Sequence, residues 1–194
     1  KRAHALGHPI VIDPVGVSGS SYRREKCLEL MKIIHPTCIR GNYSEIQALL
    51  QNCGTVTGVD AAEDALAEAE ETDLPELMKQ YAKENQMILV ASGEADLITD
   101  GSCVYRCHNG SPMMARITGS GCMSTVMLGA FLSAENSVES AVACCAFTGI
   151  AGELAAKETT AQKRGTMTFR NWFIDAVSLM TPEQLEHGTN VDWF

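Results

Sequence analysis

The sequence predicts a single α/β domain over residues 1–194, with helices packed against a parallel sheet. Three observations support this prediction. Short apolar segments typical of strands alternate with segments whose apolar residues recur at helical spacing. No linker, internal repeat or low-complexity tract interrupts the alternation. The length of 194 residues is sufficient to bury one full core.

The first half of the chain predicts two strand-helix units. A short buried strand over Ile10 to Ile12 leads through a turn to a helix from about Tyr22 to Ile34, which ends at Pro36. The next strand covers Thr37 to Ile39. A helix then begins at Ser44 and continues through Leu50, with an acidic side chain in its first turn, where negative charge suits the helix dipole.

Two more helices are predicted before the next strand. Gly54 and Gly58 close the second unit, and the alanine- and glutamate-rich segment from Asp60 to Glu71 predicts a solvated helix. Asp73 and Pro75 begin a further helix that continues to about Asn85, because proline is favoured in a first helical turn.

A strand over Met87 to Ala91 and two hairpins follow. Asp100-Gly101 predicts the turn before a strand over Cys103 to Tyr105. Asn109-Gly110 predicts a second turn, between that strand and another over Met113 to Ile117. Both dipeptides favour the two-residue turns of β-hairpins.

From Cys122 onward the pattern is helical to the end of the chain. Helices over Cys122 to Ala134 and Val138 to Lys157 are rich in small residues, which allow close packing. An amphipathic final helix covers Thr168 to Met180. Acidic residues interrupt the apolar stretch, so we expect core helices rather than a membrane hairpin.

Composition and charge restrict the partners. The chain is 45% hydrophobic and 20% charged, as is usual for a soluble globular protein. Its net charge of -9 and pI near 5.0 argue against nucleic acid or an anionic membrane as a partner. The eight cysteines include no Cys-x-x-Cys pair, so we expect buried, reduced thiols in a reducing cytoplasm.

Charged residues and glycines gather where the predicted strands end. Asp13 follows the first strand, Arg40 follows the second, and the glycine-rich turn from Ile117 to Cys122 leads into a helix. The carboxyl ends of parallel strands share one edge of a sheet. Glycines let the backbone turn sharply, and the start of a helix favours an anion. The sequence therefore predicts a phosphate-sized site at this edge.

These residue types suit phosphoryl transfer, which needs positioning and charge neutralisation. Arg40 is suited to clamp phosphate, Asp13 and Glu45 to hold Mg²⁺ directly or through water, and the N–H groups of Gly119 to Cys122 to receive the transferred group. A purely structural role stays open for each residue. In these alternatives Arg40 only pairs with Glu45, Asp13 only caps a turn, and Ser92 only begins a loop.

Six motifs follow one another along the chain. They are Asp13-Pro14-Val15-Gly16, Ile39-Arg40-Gly41-Asn42 with Glu45-Ile46, Gly58-Val59-Asp60, Ser92-Gly93-Glu94 with Asp96, His108-Asn109-Gly110, and Thr118-Gly119-Ser120-Gly121-Cys122-Met123. In this order they resemble the motifs of hydroxyethylthiazole kinases, ribokinase-fold enzymes of thiamine biosynthesis and salvage. The resemblance extends from Ile10 to about Thr166.

The resemblance implies a three-layer α/β/α fold with a mostly parallel central sheet. It also implies ATP- and Mg²⁺-dependent phosphorylation of the hydroxyl of 4-methyl-5-(2-hydroxyethyl)thiazole. The implied roles are ATP binding for Arg40, Asn42 and Ser92, substrate binding for Gly119, magnesium binding for Asp13 and Glu45, and catalysis for Gly121 and Cys122.

Cys122 occupies the position where most ribokinase-like enzymes place an aspartate base, and thiazole kinases resemble this chain in having cysteine there. A free thiol with a pKa near ~8.5 is only a few per cent ionised at neutral pH, although a helix N-terminus raises that fraction. General-base assistance is worth ~10²–10⁴-fold in rate. We therefore expect Cys122 to help catalysis without being indispensable.

The resemblance also implies features beyond this sequence. The family's chains carry a further N-terminal βα portion that supplies central strands and much of the thiazole pocket, so we expect a ribokinase-like fold lacking that portion. The resemblance also implies a homotrimer, in which the active sites lie between subunits, and we expect this assembly of this chain.

Three other functions are weighed against the kinase. An NAD(P)H-hydrate dehydratase shares the fold and uses ATP or ADP, but it normally has aspartate where Cys122 stands. A non-catalytic nucleotide-binding oligomerisation module is the second. A cysteine hydrolase that pairs Cys122 with His108 is the weakest, because no orienting partner is evident. A metal site at Cys103, Cys107 and His108 matches no standard ligand spacing.

Overall fold

The computed structural model describes residues 2–51 and 73–194 of the chain. The predicted helix over Asp60 to Glu71, together with Cys53, Gly54 and Gly58, lies outside these residues. In order, the elements are α1 (Arg2–Ala5), β1 (Val11–Ile12), α2 (Ser21–Ile34), β2 (Cys38–Asn42), α3 (Tyr43–Leu50), α4 (Leu74–Asn85), β3 (Ile88–Ser92), β4 (Asp96–Thr99), β5 (Val104–Cys107), a 3-10 helix (Met114–Arg116), α5 (Ser120–Ala134), α6 (Val138–Ala161), α7 (Thr166–Leu179), α8 (Pro182–Gly188) and β6 (Val191–Trp193).

The six described strands form one mixed sheet in the order β1-β2-β3-β4-β5-β6. The first three run parallel, with Val11 opposite Cys38 and Cys38 opposite Ile88. The pairs β3-β4, β4-β5 and β5-β6 are antiparallel, so the sheet of the described strands is mixed and not mostly parallel as the resemblance implied. Parallel β1, β2 and β3 therefore end at the same edge of the sheet, where the sequence predicts the site.

Helices cover both faces of the sheet, which confirms the predicted three-layer α/β/α fold. Successive side chains of a strand point to opposite faces. Ile39 and Leu89 accordingly pack with the core residues of α3 and α4. Cys38 and Ile88 pack with the core residues of α5 and α6 on the other face. The near-continuous apolar composition of β3 follows from burial on both sides.

Strand β2 is longer than predicted and includes Arg40 and Asn42. Its pairing with β3 continues to the last residue of each strand, since Asn42 lies opposite Ser92. Alternation places Arg40 on the same face as Cys38, the face covered by α5. The arginine is therefore aimed by a strand instead of a loop.

The predicted hairpin at Asn109-Gly110 is wrong. Residues Met114–Arg116 form a 3-10 helix, and β5 pairs with β6 from the end of the chain. The Asn109 side chain explains the difference, because its amide donates to the Gly188 carbonyl at 2.9 Å and its oxygen accepts from the Asn190 N–H at 2.8 Å. These bonds guide the C-terminal segment to the edge of β5.

The predicted helices from Cys122 onward are confirmed, but the chain is not helical to its end. Thr181 and Gln184 form a capping box that begins α8, and β6 follows. The side chains of Phe169 and Phe173 on α7 are almost fully buried and pack against α6. Thus α7 closes one side of the core without being the final element.

Helix α6 is long and apolar enough to cross a membrane by length and composition alone. Its residues are nevertheless mostly buried, with 61% of the most apolar 18-residue window inside the protein. Small residues allow this burial: a Cβ added at Gly149 would lie 2.5 Å from the backbone of Asn109. The expected core helix is therefore confirmed.

The structure shows no disulfide among the seven cysteines of the described residues. Cys38, Cys107, Cys144 and Cys145 are buried, and burial raises the pKa of the Cys107 thiol to about 11 and that of Cys144 to about 12. These four thiols behave as small apolar core residues. Cys122 differs from them because it is exposed.

Candidate active site

A cavity of about 910 Å³ lies at the shared edge of β1, β2 and β3. Its walls come from the loop after β1, the end of β2, the β3-β4 turn, the segment after β5, the start of α5 and the middle of α6. The structure brings all eight predicted site residues to this cavity. They are Asp13, Arg40, Asn42, Glu45, Ser92, Gly119, Gly121 and Cys122.

The start of α5 faces the cavity because Gly119 turns the chain sharply. Gly119 has a φ of 95°, in the left-handed region that favours glycine, and no atom lies within 4 Å of a Cβ added there. Backbone conformation, and not lack of space, therefore requires glycine. Helical hydrogen bonding begins where Met123 N–H donates to the Gly119 carbonyl at 2.9 Å. The preceding N–H groups, of Ser120 to Cys122, are suited to bind an anion.

Arg40 is held against this helix start by the carbonyl of Gly121. Its Nη1 donates to the Gly121 oxygen at 3.1 Å. The alternative that Arg40 pairs only with Glu45 is wrong, because the ion pairs in the described part of the chain involve Lys26 and His108 instead. A half-buried guanidinium without a carboxylate in contact is suited to bind phosphate.

Glu45 joins the loop after β1 to the end of β2 at the cavity edge. Its Oε1 accepts from the Gly16 N–H at 2.8 Å, and its Oε2 accepts from the Asn42 N–H at 3.0 Å. The Asn42 side chain in turn accepts from the Glu45 N–H at 2.8 Å, which completes a capping box at the start of α3. The carboxylate thus fixes the loop after β1 against the end of β2.

Asp13 is directed toward α5. Its Oδ2 accepts a hydrogen bond from the Thr125 hydroxyl at 2.7 Å. In the residues that the structure describes, no three acidic, histidine or cysteine side chains form a metal cluster. The carboxylates of Asp13 and Glu45 are still a suitable donor set for Mg²⁺. This ion needs only one or two protein carboxylates, because waters and substrate phosphates supply its other ligands.

The β3-β4 turn supplies Ser92 and a close backbone approach. The Ser92 hydroxyl donates to the Gly41 carbonyl at 3.2 Å, which links the ends of β2 and β3. Tyr43 covers Gly93 so closely that an added Cβ would lie 2.7 Å from its Cζ. Ser92 therefore ends β3 and lies on the cavity wall, so it does more than begin a loop.

Two further residues of the site had no predicted role. Asp96 lines the cavity, and its Oδ1 accepts from the Gly93 N–H at 3.2 Å. Burial raises the pKa of the Asp96 carboxyl, while the nearby charge of Arg40 opposes that rise. Asp96 belongs to the motif that begins at Ser92, which was the available signal. Nothing in the sequence marked Thr125 as a site residue, because threonine is common in helices.

The alternative sites around His108 are not formed in the structure. The His108 ring is hydrogen-bonded to Asp192 at 2.9 Å, which helps hold β6, and Cys122 lines the cavity elsewhere. Cys107 is buried in the core, and no metal cluster with Cys103 occurs in the described residues. Neither the hydrolase pair nor the metal site is supported.

Comparison with known proteins gives consistent results. A model of the hydroxyethylthiazole kinase family matches residues 1–183. The chain is 35% identical over 195 residues to the hydroxyethylthiazole kinase of Clostridium acetobutylicum, covering 99% of this chain and 71% of that protein. It is 38% identical over 177 residues to hydroxyethylthiazole kinase 1 of Methanosphaera stadtmanae, covering 88% and 62% respectively.

A solved structure is also similar. The hydroxyethylthiazole kinase protein from Pyrococcus horikoshii OT3 has a TM-score of 0.79 and 25% sequence identity to this chain. The match covers 99% of this chain and 68% of that one. The chain thus spans between 62% and 71% of the length of these three relatives.

Glu45→Gln should lower the free energy of unfolding by about 2 kcal/mol, because an amide can accept only one of the two backbone N–H bonds. Urea denaturation measures the change. Glu76→Gln is the matched control, since Glu76 holds the same position in the first turn of α4 and is exposed. Its loss should be about 0.3–1 kcal/mol from the helix dipole alone. Equal losses in the two variants would contradict the loop-joining role.

Asp96→Asn should raise the free energy of unfolding at neutral pH, because burial disfavours the ionised carboxyl and raises its pKa. The advantage should shrink as the pH falls toward about 4, where the unfolded carboxyl also becomes neutral. Urea denaturation at several pH values measures this slope. The exposed surface residue Asp175, changed to Asn, controls for the loss of one negative charge. If the difference in the free energy of unfolding between Asp96→Asn and the wild type does not change with pH, the raised pKa of Asp96 is contradicted.

Proposed function

The chain belongs to the hydroxyethylthiazole kinase family, and we propose that it transfers the γ-phosphoryl group of ATP to the hydroxyl of 4-methyl-5-(2-hydroxyethyl)thiazole. One observation carries this proposal. A guanidinium, four carboxylates that include those of Asp13 and Glu45, a thiol and the N-terminus of a 15-residue helix surround one cavity. Phosphoryl transfer needs such a collection of cationic groups and N–H donors.

Arg40, Asn42 and Ser92 are the proposed contacts to the ATP phosphates. Among the described residues, Arg40 contacts a backbone carbonyl and no carboxylate, so its planar fork can add a phosphate without first breaking an ion pair there. Ser92 holds a hydroxyl at the end of β3, opposite Asn42 at the end of β2. The three side chains therefore lie along one edge of the sheet.

Asp13 and Glu45 are the proposed holders of Mg²⁺. Bound Mg²⁺ would neutralise the negative charge of the phosphates in the transition state. Each Glu45 oxygen already accepts one backbone N–H, and a carboxylate oxygen has a second lone pair that can accept from a metal-bound water. Asp13 presents its carboxylate from the loop directly after β1.

The start of α5 is the proposed site of chemistry. The N–H groups of Ser120, Gly121 and Cys122 would bind the transferred group, and the backbone of Gly119 would contact the thiazole alcohol. Cys122 is exposed to the cavity in the first helical turn. As a thiolate, its sulfur would take the hydroxyl proton while the alcohol oxygen bonds to the γ-phosphorus and the bond from that phosphorus to ADP breaks.

We also propose that the protein acts in the cytoplasm as a homotrimer with active sites between subunits. The exposed side of α5 supports this, because Val126 is 74% exposed one turn after Cys122 on the same helix face. Light scattering should give a mass near three chains, and a monomeric mass would contradict the assembly.

The function is tested by measuring ADP release in a coupled assay with ATP, Mg²⁺ and the thiazole alcohol. ADP should form only when the alcohol is present, and phosphorus NMR should detect the phosphate ester. The same thiazole without its hydroxyl is the control and should give no ADP above background. Alcohol-independent ADP release, or none at all, would contradict the proposed reaction.

Cys122→Ala should slow turnover by up to about 10²–10⁴-fold, because it removes the proposed base while leaving the N–H donors in place. Cys122→Asp, which carries an ionised carboxylate at neutral pH, should preserve turnover. Steady-state kcat values measure both effects. Equal turnover in the wild type and the alanine variant would remove the base role.

A further inference from the structure

Thr125 places one hydroxyl between two charged side chains of the site. It lies on α5, one turn after Gly121, and is half-buried. Its Oγ1 is 2.7 Å from Asp13 Oδ2, 3.1 Å from the Gly121 carbonyl oxygen and 3.5 Å from Arg40 Nη1. Gly121 and Cys122 line the cavity, and Thr125 lies behind them.

The hydroxyl has a single proton, so it donates to only one acceptor. The bond to Asp13 is the shorter one, and its acceptor carries a charge, which makes it the stronger. The lone pairs of the same oxygen then face Arg40 Nη1, which also donates to the Gly121 carbonyl. Guanidinium, hydroxyl and carboxylate thus form one continuous chain of hydrogen bonds.

A direct ion pair between Arg40 and Asp13 would compete with ligand binding. Opposite charges in a partly buried site attract more strongly than in water, and a guanidinium fits a carboxylate in a two-bond geometry. In such a pair the carboxylate would accept from the arginine instead of a metal or its waters. Each side chain would then have to break the pair before it could bind its own ligand.

We propose that Thr125 is a positioning residue that keeps Asp13 and Arg40 apart, so that the carboxylate stays available for Mg²⁺ and the guanidinium for phosphate. This inference rests on the proposed function. Residues that orient the direct ligands of a metal change its affinity when they are replaced, by roughly 10–100-fold. Loss of the Thr125 hydroxyl should have an effect of this kind, through Asp13.

The test compares three single variants. Thr125→Val keeps the shape and removes the hydroxyl, whereas Thr125→Ser keeps the hydroxyl and removes a methyl group. Thr159→Val is the matched control, because Thr159 lies on α6, is fully buried and has a hydroxyl without a hydrogen-bond partner in the described residues. The readouts are the Mg²⁺ concentration for half-maximal turnover at saturating ATP, the KM for ATP, and calorimetric binding of Mg²⁺-ATP without alcohol.

Thr125→Val should raise the Mg²⁺ requirement by about tenfold or more, and it should raise the KM for ATP. Thr125→Ser should stay close to wild type because the hydroxyl is restored, and Thr159→Val should match wild type. If methyl packing were the important feature, the serine variant would be the more affected of the two, and that order would overturn the inference.

A double-mutant cycle tests the route of the effect. In an Asp13→Asn background, Thr125→Val should cause little further change in the Mg²⁺ requirement, because the two residues act as one unit. Independent effects of the two substitutions would overturn the inference.

Two outcomes separate this inference from the proposed function. If the Mg²⁺ requirement of Thr125→Val is unchanged while the wild type phosphorylates the thiazole alcohol normally, the inference is overturned and the proposed function is not. If Thr125→Val binds Mg²⁺-ATP more weakly while the wild type is inactive on the alcohol, the proposed function is overturned and the positioning role of Thr125 is not.

Discussion

Two hydrogen bonds between α5 and the strand ends shape the cavity. Arg40 within β2 donates to the Gly121 carbonyl, and Thr125 donates to Asp13, directly after β1. Both reach the same helix because β1 and β2 are parallel neighbours that end at one edge of the sheet. The left-handed turn at Gly119 then directs the free N–H groups of the helix into the space between them.

Charge near this edge is balanced by backbone groups and hydroxyls more than by ion pairs. Glu45 accepts two backbone N–H bonds, and Arg40 donates to a carbonyl. Partial burial of Asp96 raises its pKa and so costs stability at neutral pH. Such costs are typical of functional sites, where charged groups are kept available for a ligand instead of being neutralised by each other.

Sequence reasoning succeeded where local patterns carry the information. Helix α2 begins and ends within one residue of its prediction, because Ser20 caps it and Pro36 lies beyond it. It failed at Asn109, where a favoured turn dipeptide predicted a hairpin. The side chain there binds Gly188 and Asn190 instead, and these contacts with distant residues direct β6 to the sheet. Long-range hydrogen bonds leave no periodic signal in the chain.

The sequence by itself determined the α/β layers, the strand end that precedes Asp13, and the glycine-rich start of α5, since each depends on local spacing and backbone preference. Only the tertiary structure decided which groups touch: that Arg40 contacts a carbonyl instead of Glu45, that Thr125 stands beside Asp13, and that β6 completes the sheet. These hydrogen bonds and strand pairings join residues far apart in the chain, so they form only when the whole chain has folded.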